Sequence, residues 1–143
     1  MAFSKSFSYA LRSILYLTIT SEKKTRLPIQ EIADNLDIPR HFLGKIMKQM
    51  AKEGIIDSAK GPLGGFSINE KTTSTPLIKI IQLTDGTDQF KDCALSLGKC
   101  NSANPCPLHS RIECNRRDLL EIFTGTTVND LIKTDAKDFV NYI

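Results

Sequence analysis

The 143-residue chain has only two histidines, His41 and His109. Neither stands beside a nucleophile with a third orienting group, so no catalytic constellation is visible and an enzyme is not expected. Long apolar runs are missing as well. The longest falls far short of the roughly 20 residues that a helix needs to cross a bilayer, which excludes a membrane-spanning helix. The opening residues, Met1-Ala-Phe-Ser-Lys-Ser-Phe-Ser-Tyr-Ala-Leu-Arg12, lack an uninterrupted signal-peptide core and a small-residue cleavage pattern, so a cytoplasmic protein is expected. No internal repeat and no low-complexity segment breaks the sequence.

Strong charge of one sign is also lacking, since the net charge is +3. Its distribution is uneven. Residues 1–75 carry 11 basic and 7 acidic side chains, residues 76–143 carry 8 and 9, and any anionic contact therefore belongs to the first half. Cysteine is scarce at four. A reducing compartment disfavours structural disulfides, leaving metal, redox chemistry or burial to explain these thiols.

With 41% apolar and 24% charged residues, a chain of this length predicts one compact domain with an appended arm. Phe7, Ala10, Leu11, Ile14 and Leu15 recur at helical spacing, predicting a helix from Ser4 to Ile19. Pro28 suits the first position of a short second helix carrying Ile29, Ile32, Ala33 and Leu36. After Asp37-Ile38, Pro39 starts a third, whose stripe is Phe42, Leu43, Ile46, Met47 and Met50 and whose stop is Gly54. Two helices joined by a tight turn behind a supporting helix form a helix-turn-helix. Arg40, Lys45, Lys48 and Lys52 fall largely off the apolar stripe, where they can neutralise phosphates.

A hairpin is predicted next: a strand from Ile55 to Lys60, a turn over Gly61-Pro62-Leu63-Gly64-Gly65, and a return through Phe66-Ser67-Ile68-Asn69. Such a wing, with Lys60 at its tip, reaches a minor groove or the phosphate backbone beside the recognition helix. A short helix follows Thr75-Pro76 and ends at Gly86. Residues 87–105 show little periodicity. Leu108, Ile112, Leu119, Leu120 and Phe123 then predict one long helix from Pro107 to Thr124. Nothing remains in the chain to cover its apolar face, so a symmetric homodimer is expected. Thr127-Val-Asn-Asp130 starts a last short helix.

The cysteines lie in the aperiodic stretch as Cys93-x6-Cys100-x5-Cys106-x2-His109, with Cys114 beyond. Three thiols and an imidazole form a soft ligand set suited to zinc or an iron–sulfur cluster, with reversible thiol oxidation the alternative. The spacings do not match the closely paired ligands of a zinc finger. Cys114 falls on the helical pattern beside Ile112 and is expected to be packed or half-buried, with a role as alternative fourth ligand held in reserve.

The motifs together resemble the Rrf-two family of bacterial transcription regulators, in its IscR- and NsrR-like iron–sulfur branch. The resemblance runs through Phe7-Ser-Tyr-Ala-Leu-Arg12, Ile29-Gln-Glu-Ile-Ala33, Ile38-Pro-Arg-His-Phe-Leu43, Gly54-Ile-Ile56, Lys60-Gly-Pro-Leu-Gly-Gly-Phe66, the three spaced cysteines and Thr127-Val-Asn-Asp-Leu131. It implies a mainly α fold with a small β-hairpin wing: a winged helix-turn-helix domain over 1–86, a cysteine-containing sensor loop over 87–106, a dimerisation helix and short terminal helix over 107–133, and a tail over 134–143. It also implies a homodimer on a palindromic double-stranded operator.

Carried over by position, Tyr9, Arg40, His41, Phe42, Lys45, Lys48, Lys60, Gly61 and Pro62 belong to the DNA-binding surface. Cys93, Cys100, Cys106 and His109 match cluster ligands. [2Fe-2S] is the first expectation, in a centre that aerobic handling can strip. The first ligand gap here is one residue longer than in IscR-like members, which leaves [4Fe-4S] open. Gly44 replaces a glutamate that helps those members choose between operator classes. Three functions remain in contention: a cluster- or redox-sensing regulator, probing O₂, nitric oxide, peroxide or iron supply; a cluster-free regulator sensing through thiols or a protein partner such as a cluster-assembly factor; and an electron-transfer protein. Steep salt dependence separates DNA binding from the last.

Overall fold

The computed structural model describes residues 2–95, 97–98 and 100–133, so the predicted tail over 134–143 lies outside the described residues. Six α-helices and one two-stranded sheet are described, in the order α1 (Lys5–Thr20), α2 (Ile29–Leu36), α3 (Arg40–Lys52), β1 (Asp57–Ala59), β2 (Gly65–Ser67), α4 (Leu77–Thr84), α5 (His109–Gly125) and α6 (Val128–Lys133). None of the described helices is long and apolar enough to cross a membrane.

α1 starts because the Ser4 side chain accepts a hydrogen bond from the Phe7 N–H at 3.2 Å, and it buries Phe7, Ala10, Ile14, Leu15 and Leu17 along one face. α2 ends at Asp37, whose left-handed backbone (φ 51°, ψ 50°) turns the chain sharply into α3. Arg12 locks the pair from below, donating to the Leu36 carbonyl at 2.5 Å. α3 buries Leu43, Ile46, Met47 and Met50, so its opposite face is left to solvent. Pro28, Pro39 and Pro76 each stand one residue earlier than the helical position expected of the first two. All three adopt extended ψ values, between 123° and 146°, and serve as the flanking cap residue. A missing N–H is as harmless there as one residue later.

The wing is shorter than its apolar pattern indicates. Ile55 and Ile56 are both buried, and consecutive buried residues do not fit the alternating faces of a strand. The strands begin only after the chain has bent over the core, pairing Asp57 with Ser67, Ser58 with Phe66 and Ala59 with Gly65. Leu27, in the connection after α1, extends the sheet by exchanging two backbone bonds with Phe66 at 2.9 and 2.8 Å. The wing is thereby pinned to the helix-turn-helix.

α5 runs back over α4. The stretch expected to be aperiodic contains one 3-10 turn, Asp88–Phe90, whose buried Phe90 packs beneath α5. Phe123 of α5 meets Phe3 edge-on at 5.0 Å and Phe90 at 6.5 Å. Part of the α5 stripe is therefore covered by its own chain, contrary to the expectation of a wholly uncovered face: Leu119 and Phe123 join the core, while Leu108, Leu120 and Ile122 stay exposed. After α5, Leu77 donates to the Thr126 carbonyl at 2.9 Å and Val128 to the Thr75 carbonyl at 3.0 Å, which seats the fully buried Val128 beside α4.

Candidate functional site

Two surfaces carry chemistry. On the first, α3 presents Arg40, His41, Phe42, Lys45, Lys48 and Lys52, all exposed. Among the described residues none of these cations has an ion-pair partner, so their charge is free for an anion. Phe42 is 52% exposed and packs on His41 with ring centroids 4.3 Å apart. A hollow of 520 Å³ opens between Ile29, Arg40, His41, Gly44, Lys45 and Lys48. A Cβ on Gly44 would meet Ile29 Cδ1 at an ordinary 3.5 Å, so packing does not demand glycine there. Its effect is to keep the outer face of α3 open. Tyr9 is half-buried against the core on α1.

The wing tip carries Lys60, Gly61 and Pro62, all exposed, and adds a residue the sequence reading passed over. Leu63 is 89% exposed at the apex. A leucine inside a glycine-rich turn offers no periodic signal that separates it from a core residue. The turn itself is fixed by contact: a Cβ at Gly65, where φ is 141°, would lie 2.2 Å from the Leu27 carbonyl oxygen, and one at Gly64 would lie 2.5 Å from that of Ala59.

The second surface is the cysteine loop against the start of α5. Cys93, Cys100 and Cys106 are half-buried and all four cysteines are unbridged. Cys100 Sγ lies 3.1 Å from His109 Nδ1, and the His109 N–H donates to the Cys106 carbonyl at 2.9 Å in the first turn of α5. Cys93 donates its N–H to the Gly98 carbonyl at 3.3 Å and lines a cleft of 540 Å³ with Gln89, Asp92, Ile112 and Arg116. Cys100 and His109 are thus brought together, while no group of three potential ligands is assembled among the described residues. The donor chemistry nevertheless fits a soft metal centre, because three unbridged thiols lie on the stretch of chain that leads into α5, whose first residue supplies an imidazole. Cys114 departs from expectation. It is exposed rather than packed, with its Sγ 3.9 Å from Asp118, because Ile112, Arg116 and Leu119 take the inward face of α5.

Arg116 is a buried cation beside the cysteines that composition concealed. It is only 5% exposed and donates to the Asp92 carbonyl, to Cys100 Sγ at 3.4 Å and to Glu113 Oε2 at 2.5 Å. Burial disfavours its charge, but the hydrogen bond to Cys100 and the neighbouring Glu113 carboxylate outweigh that, holding its pKa above the usual arginine value. Its spacing from Ile112 and Leu119 was the available signal, masked by the run Asn115-Arg116-Arg117-Asp118, which reads as a solvated face.

A tight two-helix turn, an exposed cationic second helix and a pinned β-hairpin beside it define a winged-helix DNA-binding protein. Residues 3–134 match the Rrf2 family, described as iron-dependent transcriptional regulators, and the chain belongs to that family. It is 34% identical over 139 residues to an HTH-type transcriptional regulator of Aquifex aeolicus, covering 96% of this chain and 95% of that one. It is 26% identical to the HTH-type transcriptional regulator IscR of Klebsiella pneumoniae, over 82% of this chain and 68% of the relative. In fold it is similar to CymR, the global cysteine regulator of B. subtilis, with a TM-score of 0.74 at 17% identity, covering 100% of this chain and 98% of that one. The family and its relatives are transcription regulators and not enzymes.

Proposed function

We propose that the protein is a cytoplasmic, homodimeric repressor that binds a palindromic operator and senses an iron–sulfur cluster held by Cys93, Cys100, Cys106 and His109. The domain division follows: residues 1–86 bind DNA, 87–106 form the sensor loop and 107–133 the dimer contact. The observation that carries the sensing role is the contact of Cys100 with His109 at the foot of α5, where a ligand-bearing loop meets the helix whose Leu108, Leu120 and Ile122 are exposed. On the operator side, Arg40, His41, Phe42, Lys45 and Lys48 face the major groove, and Lys60, Gly61 and Pro62 follow the backbone or minor groove. Tyr9 supports this surface from α1.

A cluster, when bound, supplies a centre that responds to O₂, nitric oxide, peroxide or iron supply. The chain's part is mechanical. Its three thiols and imidazole hold the loop in one arrangement, α5 shares that arrangement through His109, and the partner's α5 converts it into the spacing of two recognition helices. [2Fe-2S] is favoured, with Cys114 the reserve for the fourth position. Anaerobic purification followed by ultraviolet–visible and electron paramagnetic resonance spectra and iron and sulfide counts tests the cofactor. Visible absorption with matched iron and sulfide is expected, and its loss in Cys93, Cys100 and Cys106 to Ala variants. An operator affinity that ignores these substitutions, with and without oxidant, contradicts the sensing role.

One observation favours a second reading. Cys100 meets both the His109 imidazole and the Arg116 guanidinium, groups that favour a thiolate, an arrangement suited to thiol chemistry. Colourless, metal-free protein whose operator binding is reversibly lost on mild oxidation would support that reading, or sensing through a protein partner if oxidation had no effect.

A further inference from the structure

Arg111 and Arg117 of α5 are exposed to water, but Arg116 is turned inward and buried. Burying a guanidinium is costly unless its donors are satisfied, and here one of them, Nε, has no partner among the described residues. The remaining donors are spent on bridging. Nη1 reaches the Asp92 carbonyl, on the near stem of the cysteine loop, and Nη2 reaches Cys100 Sγ across the loop at 3.4 Å. Glu113, three residues earlier on α5, fixes the guanidinium from its own helix at 2.5 Å. A planar fork with several donors spans such a set; an ammonium does not.

We propose that Arg116 is the positioning residue that clamps the cysteine loop to α5 and passes the state of Cys100 to that helix, an inference that rests on the sensing role proposed for the loop. Asp92 and Cys100 stand on either side of Cys93 in the chain, so the clamp ties both flanks of that cysteine to α5. Displacement of the Cys100 sulfur removes an acceptor from a buried cation that already has an unpartnered donor. The guanidinium then finds a new partner only by moving with the loop, and α5 moves with it because Arg116 is part of its inward stripe.

The test uses the full chain, metal-free and iron-loaded, as wild type and as Arg116→Gln and Arg116→Lys. In the metal-free protein, amide hydrogen exchange over 91–105 is expected to quicken about tenfold in both variants, as bridging bonds are lost. Protection of α1 to α4 should be unchanged. The ratio of operator affinities between iron-loaded and metal-free protein is expected to collapse toward one in both variants. Wild-type exchange in Arg116→Gln overturns the clamp. If Arg116→Gln fails to fold, Arg116→Lys decides, because it keeps the stem and charge: wild-type exchange there shows that charge alone suffices and overturns the fork. Wild-type protein with equal operator affinity in both states overturns the sensing role and the signal-passing half of the proposal, while loop exchange still judges the clamp by itself.

Discussion

Ser4 joins the start of α1 to the end of α4: its side chain accepts from the Phe7 N–H, its backbone N–H donates to Asp85 Oδ2 at 2.7 Å and its hydroxyl donates to Asp85 Oδ1. Ser4→Ala should cost about 1 kcal/mol, the usual loss for a helix cap, measured by denaturant unfolding. Burial pushes the Asp85 carboxyl upward, yet the bonds from Ser4 and Thr84 prevail and hold its pKa below the ordinary carboxylate value. A depressed native pKa gives stability that is complete above the unfolded value and lost as pH falls through the native one. Asp85→Asn should therefore lower Tm at neutral pH, with the difference from wild type shrinking only in acid below the usual carboxylate range. On α3, Lys48→Ala should weaken operator binding similarly across sequences and reduce the slope of log affinity against log salt by about 1, as for the loss of one phosphate contact. An unchanged slope would place Lys48 away from the phosphates.

Among the elements, the wing depends most on a single backbone position. Gly65→Ala would drive a Cβ into the Leu27 carbonyl at 2.2 Å, so the wing must shift or detach from the α1–α2 connection. A destabilisation of about 1–3 kcal/mol is expected, with operator affinity reduced and α5 dimerisation intact. The helices and the hairpin were legible in the sequence because apolar spacing and turn residues act locally. Their limits were less so: Pro28 and Pro39 sit one place early because a proline suits the cap as well as the first turn, and Ile55-Ile56 resembles a strand although both side chains point into the core. The turn at Asp88–Phe90 and the inward Arg116 depend on what α5 packs against. Those contacts join segments some two dozen residues apart, beyond the reach of local pattern. The thiols and imidazole proposed as ligands stand out in the sequence by type and spacing, whereas the exposure of Cys114 follows from how α5 is rotated on the core.

At the scale of the whole molecule, α5 divides its apolar residues between two tasks. Leu119 and Phe123 close the protein's own core, while Leu120 and Ile122, with Leu108 just before the helix, stay exposed and form the contact proposed for a second copy. Ile122→Glu should yield a folded monomer by sedimentation, with operator binding weakened strongly because two half-sites are no longer held together. A dimer that survives this change would move the contact elsewhere. The cysteine loop joins the DNA-binding body to this helix along the chain and is tied to α5 through His109 and Arg116. The most direct measurement is an operator titration of one anaerobic dimer preparation at fixed salt, before and after its iron is removed by a chelator. A shift in affinity of about tenfold or more, reversed on rebuilding the centre, is the result predicted by cluster sensing through the Cys93–His109 loop. Superimposable titrations would contradict it.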